Sequence, residues 1–119
     1  MTQSKILKDK QTDVILSFIK EKAPYIRKIG LTGSYATKEQ TESSDLDIVV
    51  DVKNEDKDEF WEVAEEVRGI LINNFLIPVD FIFYDDVIRK SNKKDCWLAA
   101  LESYMYVDMI AKIKWLEEV

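Results

Sequence analysis

The sequence predicts an α/β fold: a small mixed β-sheet with helices packed on one face. Three observations carry that expectation. Short apolar runs at residues 29–31, 48–50 and 75–84 have the length and the β-branched or aromatic content of strands. Between and around them lie longer segments whose apolar residues recur at helical spacing. At 119 residues the chain reads as a single domain, 1–119, large enough for one core and short of two.

Taken in order, residues 5–22 are expected to form an amphipathic helix, because Leu7, Val14, Ile15, Phe18 and Ile19 recur at helical spacing and Pro24 marks its end. Residues 28–32 form the first strand, with Arg27 and Lys28 as a solvated rim before it. Gly33 and Ser34 then turn the chain into at most two helical turns over 34–40, followed by a loop at 41–44 and a second strand at 45–52. The run KNEDKDE at 53–59 is a charged connection whose acids suit a helix N-terminus. Phe60, Val63, Ala64, Val67, Ile70 and Leu71 continue it as a helical stripe that Asn73-Asn74 closes. The third strand covers 75–84, and Asp85 and Asp86 cap a further helix at Val87-Ile88.

Residues 93–118 are expected to be one long helix with two adjacent apolar stripes. One holds Leu98, Leu101, Met105, Met109, Ile113 and Leu116; the other holds Trp97, Ala100, Tyr104, Val107, Ala111 and Trp115. Packing on a sheet needs one stripe. Either the first helix and the sheet cover both, or the surplus, rich in Trp, Tyr and Met, is an interface for a partner or a second copy.

Composition narrows the function. No apolar stretch is long enough to cross a bilayer, and the polar N-terminus carries no signal-peptide core, so no membrane role is expected. The single cysteine, Cys96, excludes an internal disulfide and a thiolate zinc site, and fits a reducing cytoplasm. With no histidine, any proton transfer falls to a carboxylate or water. A formal charge of −6 argues against long nucleic acid, whose binding is driven by basic side chains, and favours a protein or small molecule as acceptor.

The chemistry concentrates between Gly33 and Asp51. Asp45 and Asp47 are two apart, so on a strand they share one face with Cα atoms roughly 6.5–7 Å apart. Carboxylates so placed suit one divalent cation, or a pair about 3.5–4 Å apart. Leu46, Ile48 and Val50 share the opposite face; Val49 and Asp51 follow the acids, with Asp51 outside the cleft. Gly33 permits a sharp turn and close approach to a ligand, and Ser34 at the following helix start places free N–H groups where phosphate oxygens bind. The Gly-Lys-Ser/Thr ending of a Walker A loop is absent. Asp80 is the single charge in the apolar run 75–84. A buried carboxylate is costly alone, so Asp80 is expected to have a metal, a base or a hydroxyl beside it; the alternative is an edge-strand residue facing water.

Gly33-Ser34, ten intervening residues and Asp45-Leu46-Asp47 resemble the GS-x10-DxD signature of the minimal nucleotidyltransferases, relatives of the polymerase-beta superfamily. Ala36, Ser43-Ser44 and the apolar strand after the acids extend the match over a chain of similar length. Members often carry Arg-Gly where this chain has Thr37-Lys38. The resemblance implies a polymerase-beta-like nucleotidyltransferase fold, ATP as substrate, and two Mg²⁺ ions held by Asp45, Asp47 and Asp80 as the catalytic acids. It implies that Gly33, Ser34 and Lys38 bind the nucleotide. It also implies transfer of AMP to a hydroxyl, often a tyrosine of a HEPN-type toxin for which such proteins serve as antitoxins. Two alternatives stand beside it: a non-catalytic binding antitoxin or regulatory subunit, and transfer to a small-molecule hydroxyl.

Overall fold

The computed structural model describes residues 6–92 and 96–116, so the edges of the helices expected at 5–22 and 93–118 lie outside the described residues. The chain runs α1 (Asp9–Lys22), β1 (Lys28–Thr32), α2 (Ser34–Thr37), β2 (Leu46–Asp51), a 3-10 turn (Asn54–Asp56), α3 (Lys57–Phe75), β3 (Val79–Phe83), α4 (Tyr84–Ser91), α5 (Trp97–Ala111) and β4 (Lys114–Trp115). The four strands form one mixed sheet in the order β3-β2-β1-β4. β1 is antiparallel to both β2 and β4, while β2 and β3 run parallel, joined by α3 as the crossover.

Alternation along the strands sorts the side chains. Ile29 and Leu31 of β1 pair with Val50 and Ile48 of β2, which pair in turn with Phe83 and Phe81 of β3. This apolar face meets α1 and α3 in the main core, where Leu16, Ile19, Phe60, Ala64 and Leu71 are buried. Phe60 of α3 stands edge-on to Phe81 and Phe83, with ring centroids 5.5 and 5.8 Å away. Such tilted aromatic pairs add to the burial itself.

The other face carries Thr32, Asp47 and Asp80 at one end and Lys28, Val49 and Asp51 at the other. It was expected to lie open. Instead α4 packs against β2 and β3, and Val49 and Val87 are buried there, apart from the main core. The covering is partial: Lys28 lies over the rings of Tyr84 and Trp115, 4.8 and 4.5 Å from their centroids. Asp51 accepts from Arg27 at 2.9 Å, outside the cleft as expected. The end of the face that holds Asp47 is left exposed to a ligand.

Four expected boundaries shift. The first short helix ends at Thr37, because Lys38 turns left-handed at φ 62°. α3 runs through the expected stop, since Asn74 donates to the Ile70 carbonyl of its own helix at 2.9 Å. It ends at Leu76 with φ 57°, so β3 begins only at Val79. The long C-terminal helix divides: α5 stops at Ala111 and the chain re-enters the sheet as β4. Neither Gly nor Pro marks that stop. What decides it is the free edge of β1: Gly30 lets the new strand approach so closely that an added Cβ would meet the Lys114 carbonyl oxygen at 2.6 Å.

Candidate active site

The site grows out of the sheet register. Thr32 at the end of β1 pairs with Asp47 of β2, which pairs with Asp80 of β3, so the turn after Thr32 and both acids meet at one end of one face. Gly33 makes that turn at φ +69°, where L side chains are strained. An added Cβ would also lie 2.5 Å from Oδ2 of Asp47. Glycine is therefore required twice over, by the backbone and by the carboxylate pressed against it.

Asp47 is half-buried, and its pKa is pushed up to about 6, first by burial and then by the charges of Asp80 and Asp45. The register puts Asp47 beside Asp80, whereas Asp45 precedes β2 and is exposed. Asp80 is not the buried charge that its apolar surroundings suggested. β3 is the edge of the sheet, and Asp80 faces solvent while its apolar neighbours along the strand are sheltered by α3 and α4. The rival acids serve elsewhere. Asp85 and Asp86 lie in the first turn of α4 and hold Lys57, at 2.9 and 3.7 Å. Burial pushes the Asp85 carboxyl up, but the hydrogen bond and charge of Lys57 outweigh it and hold the pKa below the ordinary value.

Among the described residues no three His, Cys, Asp or Glu side chains are gathered closely enough to hold a metal ion as they stand. The donor chemistry nevertheless fits a hard cation: oxygen ligands only, mutually repelling, and none of the three acids in an ion pair with a described residue. Magnesium would relieve that repulsion.

Beside the turn lies a cavity of about 400 Å³, a size that suits a small ligand. Thr32, Gly33, Ser34, Thr37 and Glu39 form one wall. Met105, Asp108, Met109 and Lys112 form the other, one turn apart along a single side of α5. Lys112 is the only basic residue among the described residues lining it, and its ammonium is held by Asp108 at 3.0 Å. Lys38, expected at the nucleotide, reaches instead to Asp9 of α1 at 3.3 Å and is not among the lining residues. The α5 wall escaped the sequence reading, which treated Met105 and Met109 as part of an apolar stripe. The available signal was Asp108 and Lys112, an oppositely charged pair four apart at the end of a mostly apolar helix. A second groove of about 480 Å³ lies between α1 and α3, where Val14, Phe18, Ile70 and Phe75 offer apolar surface. It lies on the helix layer, across the sheet from the acids.

Residues 13–100 match the model of the nucleotidyltransferase domain. The chain belongs to the nucleotidyltransferase domain family. The match takes in β1, the Gly33 turn, Asp45, Asp47 and Asp80, and stops inside α5 before Met105, Asp108, Met109 and Lys112 of the second cavity wall. No curated protein matches the sequence. Two solved structures to which the chain is distantly similar are a toxin–antitoxin with AMP-PNP and a mutant of the toxin–antitoxin MntA-HpeT. The first is 17% identical with a TM-score of 0.46, covering 83% of this chain and 86% of its own. The second is 15% identical with a TM-score of 0.44, covering 88% of each. Among the described residues of this nucleotidyltransferase domain, no helix is long and apolar enough to cross a membrane.

Proposed function

We propose that this nucleotidyltransferase domain moves AMP from ATP to a hydroxyl of a partner protein, a HEPN-type toxin for which it is the antitoxin. The observation that carries the transfer is the meeting of Gly33, Asp47 and Asp80 at one open end of the sheet, beside a nucleotide-sized cavity. The turn N–H groups and the Ser34 hydroxyl would take the β- and γ-phosphate oxygens, and Asp45, Asp47 and Asp80 would hold Mg²⁺. When bound, Mg²⁺ supplies charge neutralisation at the triphosphate and a lowered pKa at the acceptor hydroxyl. The acceptor oxygen forms its bond to the α-phosphorus as the bond to the bridging oxygen breaks and pyrophosphate leaves. The hydroxyl proton goes to a carboxylate; Asp80, exposed on the edge strand, is the one an incoming hydroxyl reaches.

The partner reading rests on α5. Trp97 and Tyr104 are each 77% exposed and Met105 67%, an unusual density of anchor-type side chains on an open surface. The test is transfer of label from α-labelled ATP with Mg²⁺ to a purified HEPN-type toxin. The expected result is label on the toxin with the wild type and none with Asp47→Asn. A toxin neutralised equally by both proteins, with no label, would make this chain a binding antitoxin instead.

A further inference from the structure

The cavity beside Gly33 is short of positive charge. A triphosphate brings several negative charges to a place that already holds Glu39, Asp108 and, behind the turn, Asp47. Thr37 offers a hydroxyl there, within reach of the Gly33 and Ser34 carbonyls at 3.5 and 3.4 Å, and no cation. Lys38 points toward α1. Among the described residues that line the cavity, the base is Lys112, the C-cap of α5.

Its position is not accidental to the fold. Lys112 stands two residues before Lys114, which pairs with Leu31 of β1, and β1 ends at Thr32 in the turn that forms the opposite wall. The strand that displaced the end of the expected long helix therefore ties Lys112 to the Gly33 turn through the sheet backbone. We propose that Lys112 is the triphosphate-binding cation of this site, and that Asp108 holds it in place until nucleotide arrives. The ion pair at 3.0 Å is about half-exposed on both sides, so it is weak and readily exchanged for phosphate oxygens, which accept from an ammonium more strongly. Met105 and Met109, in the same wall, leave an apolar surface for the rest of the nucleotide. These four residues lie beyond the span of the family match.

The inference rests on the nucleotide-binding reading of the cavity, and one titration separates the two. MgATP is titrated into the full chain and into Lys112→Gln, Lys112→Arg and Asp108→Asn, with circular dichroism to check the fold. An exposed i,i+4 pair adds little to stability, so all three variants are expected to fold. Lys112→Gln is expected to weaken MgATP by about tenfold or more, the loss of one charge-assisted contact. Lys112→Arg keeps most of the affinity, and Asp108→Asn tightens it by removing a competitor. Wild-type binding with Lys112→Gln unchanged, or with Arg no better than Gln, overturns the role of Lys112 and leaves the nucleotide reading standing. Unchanged affinity in Asp108→Asn overturns the latch. A wild type that binds no MgATP brings down both.

Discussion

The Gly33 turn and helix α5 face each other across one cavity, yet they are held in different ways. The turn is fixed by backbone: Thr32, Asp47 and Asp80 stand in register across three strands, and Gly33 closes on the Asp47 carboxylate with no room for a Cβ. Helix α5 is held chiefly by α4, through a hydrogen bond from the Ser103 hydroxyl to the Ser91 carbonyl and the packing of Tyr106 beside Lys90, and by the short β4 at its end. Ser103 is its one buried residue. A wall set by register places chemistry; a wall set by few contacts leaves apolar surface free for a partner.

The largest effect is expected where the first wall has least tolerance. Gly33→Val puts a branched side chain at φ +69° and against Asp47. Nucleotidyl transfer should fall by at least about a hundredfold, since displacement of this size at a reacting centre is known to cost that much. Thermal unfolding should show a loss of about 1–3 kcal/mol from the strained backbone. Retained activity in this variant would mean that the turn is not pinned by the carboxylate.

Asp47→Asn separates chemistry from stability on that same wall. Transfer is expected to fall by about a hundredfold or more, as for other groups that stabilise charge in the transition state, whereas the fold should hold or gain. The carboxylate is repelled by Asp80 and Asp45 and partly desolvated, so a neutral isostere removes a cost. Equal losses of activity and stability would instead mark Asp47 as a structural residue.

The pH dependence follows with a definite sign. The folded pKa of Asp47, about 6, lies above the ordinary carboxylate value, so the folded protein holds more protons than the unfolded chain in that window. Metal-free stability from this group is therefore greatest below the ordinary value and declines as pH rises through about 6. Asp85 runs the other way: its lowered pKa adds stability at neutral pH that is lost as pH falls. Comparing melts of the wild type and Asp47→Asn between about pH 4.5 and 7.5 cancels the second contribution. The wild type should lose ground to the variant as pH rises, and Mg²⁺ should close the gap. A constant difference would show that burial and the neighbouring acids do not perturb Asp47.

The same division explains what the sequence disclosed. Gly33, Asp45, Asp47 and the alternation of Ile48 and Val50 were legible because a tight turn and a two-residue period leave marks in residue type. Asp80 was legible as a singular charge, but an apolar run reads first as buried on both faces; the strand order makes β3 an edge and decides for the alternative, a carboxylate facing water. The end of α5 was not legible at all. Nothing in Lys112-Ile113-Lys114-Trp115 breaks a helix; the open edge of β1 and the absent side chain of Gly30 recruit the segment, and that is a long-range cause. Lys112 was hidden for the same reason, since its neighbours across the cavity are some eighty residues earlier.

The smallest effect on the fold belongs to the second wall. Trp97 and Leu101 are 77% and 57% exposed, so Trp97→Ser with Leu101→Ser should change unfolding stability by no more than about 0.5 kcal/mol per site. That is far below the about 2–5 kcal/mol that a comparable truncation costs in a packed core. Binding of the proposed toxin partner, measured by titration, should fall by about tenfold or more, because exposed aromatic anchors carry much of an interface's energy. A large loss of stability in the isolated chain would mean that α5 is covered from within, and the contrast between the two walls would fail. Stability kept and binding lost would make α5 the surface by which a small, register-built active site is brought to its acceptor.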